Sequence, residues 1–282
     1  MTEAKIALPP AGEETDELIE ATLRARRLER LRDVALGIGF PIGLLLLWEI
    51  ASRFNLIDRR FFPGPSTIGA SIWKFLSTQA GRDVLFEHLE ATLLRIGIGY
   101  GIGATAGVLM GVVMGLHAPT RAAVAPTLYA IFPLPKIAIY PLMIVIFGLG
   151  DASSSALVTL GVFFMTCINT FSGVRYVNPI YHDVADAFRF PPLVRWLRVF
   201  IPAAMPSIIT GLRLGMGQAL VLVVSAEFVS ADTGIGRFIW DSWQVLDVPR
   251  MFMGLAVVLM LAGGAALVGN LAEKKLIPWN RR

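Results

Sequence analysis

Long apolar runs separated by short polar breaks set the pattern along the chain. Val34 to Ala51 is the first, barely long enough to cross about 30 Å of hydrocarbon. Ile96 to Leu116 carries no charge. A tight turn at His117 to Arg121 leads into a third run, reaching about Leu149, which should pack antiparallel to the second. Ala152 to Val174, Ser207 to Val229 and Met251 to Ala272 follow. Together these predict an all-α, polytopic membrane protein with six transmembrane helices.

Two runs carry further signals. Gly99, Gly103, Gly107, Gly111 and Gly115 recur every four residues, a ridge on one helix face. Small residues at that spacing let backbones approach closely where lipid supplies no hydrophobic drive. The third run holds Pro126, Pro133, Pro135 and Pro141. Prolines in a span leave carbonyls unpaired, which is tolerated where the helix lines a cavity or meets neighbours.

Between the fourth and fifth runs lies a basic, polar island, residues 175–206. Leu193, Trp196, Leu197 and Phe200 stand at i, i+3, i+4 and i+7, one helical stripe, with Arg195 and Arg198 on the other side. Val184, Ala187 and Phe188 repeat the pattern one short helix earlier. Pro191 and Pro192 should break the chain between the two helices, and Pro202 and Pro206 should stop the second. A loop of this kind docks in a partner's groove or rests on lipid headgroups. On the opposite side, Phe61 to Ser66 reads as a turn ending in a helix cap. Ile68, Ile72, Phe75 and Leu76 then form an amphipathic helix, with Trp73 suited to an interface.

Composition agrees with a membrane protein. Only 16% of residues are charged, against about 25% in soluble domains, and the mean hydropathy is +0.65. The single Cys167 excludes an internal disulfide framework, and three scattered histidines argue against a metal site. The sequence pI near 9.5 does not point to nucleic acid, because the basic residues flank apolar runs rather than forming one stripe. Residues 1–33 read as a cytoplasmic tail with a helical stretch from about Asp16, presenting Leu18, Ala21, Ala25 and Leu28 on one face. Residues 34–282 read as the transmembrane domain. Arginines and lysines in the tail, the turn at Arg121, the central loop and the C-terminus outnumber those opposite, which places both termini in the cytoplasm.

No G-x-x-x-x-G-K-[ST] loop, nucleophile–base pair or metal cluster stands in the sequence, so an enzyme reading has no support. Proline-broken spans with a structured loop fit solute movement better. Lys136 is the sharpest pathway candidate, since a lysine inside a span faces a water-filled cavity or a partner; a structural or snorkelling lysine stands beside that reading. Phe132 and Tyr140 are placed to wall a passage. Asn169, Gln218 and Ser225 either line it or bond between helices, and Glu227, near the outer end of the fifth span, orders a gate.

The central loop resembles the conserved loop of permease subunits of bacterial ATP-binding-cassette importers, which reads E-A-A, three residues, G, nine residues, I-x-L-P. Asp183, Val184 and Ala185 fall on E-A-A, Arg189 on the glycine, and Val199 to Pro202 on I-x-L-P. F-P-G-P-S, P-L-P-K-I-A-I-Y-P-L-M-I-V-I-F-G-L-G-D, P-A-A-M-P-S-I-I-T-G-L-R-L-G, S-A-E-F, G-I-G and the terminal K-K-L-I-P-W are similar to the nitrate/sulfonate/taurine branch. Asp183 shortens the acid and Arg189 replaces the turning glycine, with Pro191-Pro192 offering another route to the break. The resemblance implies a type I importer permease fold and a homodimer. It also implies two cytoplasmic ATPase subunits that bind ATP and Mg, and an extracytoplasmic solute-binding protein. The chain itself would carry no cofactor. Asp183, Val184, Ala187, Phe188, Arg189, Leu193, Trp196 and Leu197 would contact the ATPase, and the solute would be a small anion such as a sulfonate, taurine, nitrate or an aromatic carboxylate. A vitamin precursor moved by the same machine and an ion-coupled carrier acting alone are the alternatives; no inverted repeat or chain of buried carboxylates favours the latter.

Overall fold

The computed structural model describes the backbone of residues 13–277, with side chains at position 29 and from position 32 onward. The tail face at Leu18, Ala21, Ala25 and Leu28 and the terminal Trp279, Arg281 and Arg282 lie outside the described residues or side chains. Every regular element among the described residues is helical. Five helices are long and apolar enough to cross a membrane, or six if one bent pair counts as a single span. The chain divides into two compact units, up to Thr67 and from Ile68 onward.

In the first unit, α1 (Glu13–Arg53) is a single helix of 41 residues that passes through Pro41. After it, Asn55 takes a positive φ of 54° and turns the chain. Ser66 does not act as the cap expected for the F-P-G-P-S element. Glu49, on α1, accepts from the Ser66 backbone N–H at 2.9 Å and from its hydroxyl at 2.7 Å. A carboxylate from another helix satisfies that orphan donor, which local sequence does not reveal.

The second unit contains α2 (Pro65–Ser77) from Ile68 onward, then α3 (Gln79–Leu116) and α4 (Ala118–Ile131). A 3₁₀ turn at Lys136–Ile139 leads to α5 (Tyr140–Phe147), and α6 (Asp151–Arg175) follows. Next come α7 (Pro179–Ala187), α8 (Pro192–Arg195), a π turn at Trp196–Phe200 and α9 (Ile201–Ser230). The last two helices are α10 (Ile235–Gln244) and α11 (Val248–Leu276). Thr78 caps α3, its hydroxyl accepting from Gly81 N–H at 3.1 Å, so the helix starts well before the uncharged run at Ile96. The third span is not one rod beside the second. Pro133 and Pro135 break it, and its two pieces meet at 94°.

α6 is the centre of this unit, packed against α3 on one side and α9 on the other. The glycine ridge of α3 makes the first contact close. A Cβ at Gly103 would fall 2.5 Å from the Thr159 carbonyl oxygen, and one at Gly111 2.6 Å from Thr170 Cβ. Leu157, Val158, Val162, Ala219 and Val223 between these helices are fully buried. Such an interface gains from van der Waals packing and lipid release, and any side chain on the ridge would force the backbones apart.

Pro202 and Pro206 do not stop the helix that enters the fifth span. Helical backbone runs from Pro192 to Ser230. Pro202 is the second residue of α9, directly behind a π turn whose wider register accommodates its missing donor. The π turn just before it uses a longer bond, Ile201 N–H to Trp196 C=O.

Candidate functional site

The segment between α6 and α9 folds as a small helical knob. Asn178 starts α7, its side-chain oxygen accepting from Ile180 N–H at 3.0 Å, with Pro179 at the first helical position. The end of α7 is set by Arg189, whose φ is +50°. Arg189 N–H donates to Asp186 C=O at 3.0 Å and Phe190 N–H to Ala185 C=O at 3.2 Å. That bond pair is the Schellman closure that usually employs glycine. The arginine therefore adopts the glycine conformation itself, and Pro191-Pro192 start the next helix rather than making the turn.

Arg195 fastens the two short helices together. It pairs with Asp186 at 2.8 Å, donates to the His182 carbonyl at 3.4 Å, and lies 5.4 Å from the Phe200 ring centre. His182 in turn packs on Phe200 at 4.4 Å. Phe200 is only 7% exposed, packed with Val174, Val177, Ala204 and Ile208. The expected stripe is thus divided: Phe200 anchors the knob, because the π turn shifts the helical phase, while Leu193, Trp196 and Leu197 remain exposed. Val184, Ala187 and Phe188 are exposed too, and Ala185 is buried. Asp183 stands on the exposed surface with no ion pair among the described residues.

The proposed pathway residues are dispersed. Lys136 donates to the Phe132 carbonyl, closing the end of α4, and lies over the Phe132 and Phe164 rings at 4.6 and 5.7 Å. Tyr140 is buried, its hydroxyl 3.0 Å from Ser154 Oγ and 2.5 Å from Ser230 Oγ. Asn169 donates to Met165 C=O at 2.8 Å and Ser225 to Val221 C=O at 2.7 Å, bonds within their own helices. Gln218 is half-buried on the α9 face near Gly161. Among the described residues, no hydrogen bond or ion pair joins Lys136 to Asn169, Gln218, Ser225 or Glu227.

Glu227 is wholly buried and saturated. One carboxylate oxygen accepts from Thr92 Oγ1 at 2.8 Å and Arg95 Nη1 at 2.7 Å, the other from Gly236 N–H at 2.8 Å. Arg95 also donates to Asp151 Oδ1 and to the Thr233 carbonyl, both at 2.7 Å. Gly234, at φ +124°, passes so near that a Cβ would lie 2.3 Å from Glu227 Cδ. This explains the G-I-G physically: the two glycines admit the carboxylate. Arg95 escaped sequence reasoning, although one signal was available. It stands three residues after Thr92, just before an uncharged run, and a membrane-buried acid needs a cation.

A sequence profile described as "Binding-protein-dependent transport system inner membrane component" matches residues 103–274. The chain is 30% identical to a taurine transport system permease protein of Escherichia coli (strain K12), over 93% of this chain and 98% of that one. It is 32% identical to a riboflavin transport system permease protein of Chloroflexus aurantiacus, over 91% and 94%. Its fold is similar to a chain in the inward-facing MetNI methionine ABC transporter, with a TM-score of 0.63, 15% identity, and coverage of 71% of this chain and 99% of that one.

Proposed function

The chain belongs to the binding-protein-dependent transport system inner membrane components, and on that premise we propose that it forms the passage for a small anion of the sulfonate or taurine type. It is a multi-pass inner-membrane permease subunit of an ABC importer, a transport component rather than a catalyst. Family membership implies an ATPase and a solute-binding protein as partners. ATP and Mg belong to the ATPase in this reading, both termini face the cytoplasm, and two copies of the chain enclose the passage.

The exposed knob carries the coupling part of the proposal. Val184, Phe188, Leu193, Trp196 and Leu197 present apolar surface around the unpaired Asp183. Apolar side chains on a loop outside the spans, rimmed by charge, suit a protein groove. Arg189 and Ala187 border the same surface. Because Arg195 and Phe200 fix the knob to the ends of α6 and α9, force applied there reaches the spans as a rigid displacement.

The anion reading draws on the 30% identity to the taurine permease and on Lys136 at the break in the third span. One of its donors is engaged by Phe132, leaving others for solute in a dehydrated passage; Phe132, Tyr140, Gln218, Asn169 and Ser225 complete the candidate lining. Glu227 holds the far ends of the helices together rather than meeting solute. The second reading, a vitamin precursor, draws on the 32% identity to the riboflavin permease.

The test is uptake of labelled taurine and riboflavin into vesicles holding this chain, its ATPase and its binding protein. Taurine uptake that needs ATP, and falls at least tenfold in Lys136→Gln while Lys136→Arg retains it, supports the anion reading. Riboflavin uptake alone replaces it, and uptake without any ATPase overturns the importer reading.

A further inference from the structure

We propose that the cavity between α2 and the first turn of α11 binds the phosphate headgroup of a membrane phospholipid. The cavity has a volume of ≈ 350 Å³, and its wall includes Ser71, Lys74 and Phe75 from one side and Asp247, Arg250 and Met253 from the other. Lys74 and Arg250 have no ion pair among the described residues. The Arg250 Nε is buried without a hydrogen-bond acceptor. Its guanidinium carbon lies 4.9 Å from the centres of both the Phe75 and Phe238 rings. Two aromatic faces thus hold the group in place while leaving its charge unmatched.

The acid in the wall does not fill that role. Asp247 Oδ1 accepts from the Arg250 backbone N–H at 3.2 Å as the cap of α11. The amino end of this 29-residue helix adds further positive potential toward the cavity. A phosphate diester supplies what is missing, accepting from Arg250 and Lys74 and from the Ser71 hydroxyl.

Position and polarity select a lipid over a free anion. Arg250 stands in the first turn of an apolar span, the depth at which headgroup phosphates lie. Trp73, beside Lys74, is 78% exposed, as befits a residue at the membrane–water boundary. Phe75 and Met253 line the cavity with apolar surface, which suits the glycerol and upper acyl carbons of an amphiphile.

The full-length chain, delipidated in detergent, is titrated with dioleoylphosphatidylglycerol, dioleoylglycerol or inorganic phosphate and read by native mass spectrometry. One phosphatidylglycerol per chain is expected, without matching retention of dioleoylglycerol. Lys74→Gln with Arg250→Gln should weaken retention at least tenfold. Lys74→Gln alone alters only an exposed side chain and should weaken it about threefold, which keeps the test decisive if the double variant does not fold. Unchanged retention in the folded variants, or equal retention of dioleoylglycerol, overturns the proposal. So does phosphate binding that depends on Arg250 and Lys74 without lipid retention, which would reassign the site to a soluble anion.

Discussion

α6 joins two polar regions about 37 Å apart at 1.5 Å per residue, and they are built on opposite principles. At its start, Asp151, Arg95, Glu227, Thr92 and Thr233 satisfy one another, and Gly234 and Gly236 give them room. At its end, the knob of α7, α8 and the π turn is braced inside by Arg195 and Phe200 but presents Phe188, Leu193, Trp196 and Leu197 outward. The first region is complete within one chain. The second is braced on its inner side and leaves Phe188, Leu193, Trp196 and Leu197 exposed on its outer one, the face that the proposed ATPase contact would cover. A charge cluster with every partner present ties helices together, whereas an exposed apolar face contributes nothing to the fold until something covers it.

Perturbations at the two ends should therefore separate stability from assembly. Glu227→Ala would leave Arg95 buried with only part of its charge matched, and should cost about 3–5 kcal/mol in reversible unfolding of the detergent-solubilised chain. A loss below about 1 kcal/mol would mean that water or a rearranged Asp151 replaces the carboxylate. Trp196→Ala should weaken association with the ATPase by about 2 kcal/mol, measured by titration in detergent. The same variant should shift the chain's own unfolding by less than about 0.5 kcal/mol. If unfolding moved more than association, the knob would belong to the chain's own core.

Smaller effects refine the contrast. Arg189→Gly should stabilise the knob by about 1 kcal/mol, because glycine takes positive φ without the Cβ clash; hydrogen exchange at Phe188 to Phe190 reads this directly. Slower exchange with weaker ATPase binding would show that the arginine is kept for its side chain. Last, the half-exposed Arg213–Glu273 pair, 2.6 Å apart, should contribute less than about 1 kcal/mol in a double-mutant cycle. A larger coupling would give the knob end its own internal tie.

The hydrophobic runs coincide with the five long apolar helices and with the bent pair that would make a sixth span, and the four-residue glycine period announced the close contact of α3 with α6. Both are legible because they depend on spacing along one helix. Phe200 was misassigned because a π turn shifts the angle per residue, which apolar periodicity does not encode. Pro202 and Pro206 misled for a related reason: proline's penalty depends on its setting, and helical backbone continues through both, Pro202 directly behind the π turn and Pro206 inside α9. The third span's prolines were visible, but its 94° bend was not, since the same residues are compatible with a gentle kink.

The sequence by itself determined that this chain crosses a membrane repeatedly, that its helices are glycine-clamped, and that one interrupted amphipathic segment stands between the fourth and fifth spans. Those are properties of neighbours along the backbone and of transfer from water to hydrocarbon. Only the tertiary structure decided that Arg95 meets Glu227 across 132 positions, that Arg189 supplies a left-handed turn, and that Lys74 and Arg250 share one cavity. Charge pairing and cavity shape arise between helices distant in sequence, where no local period records them.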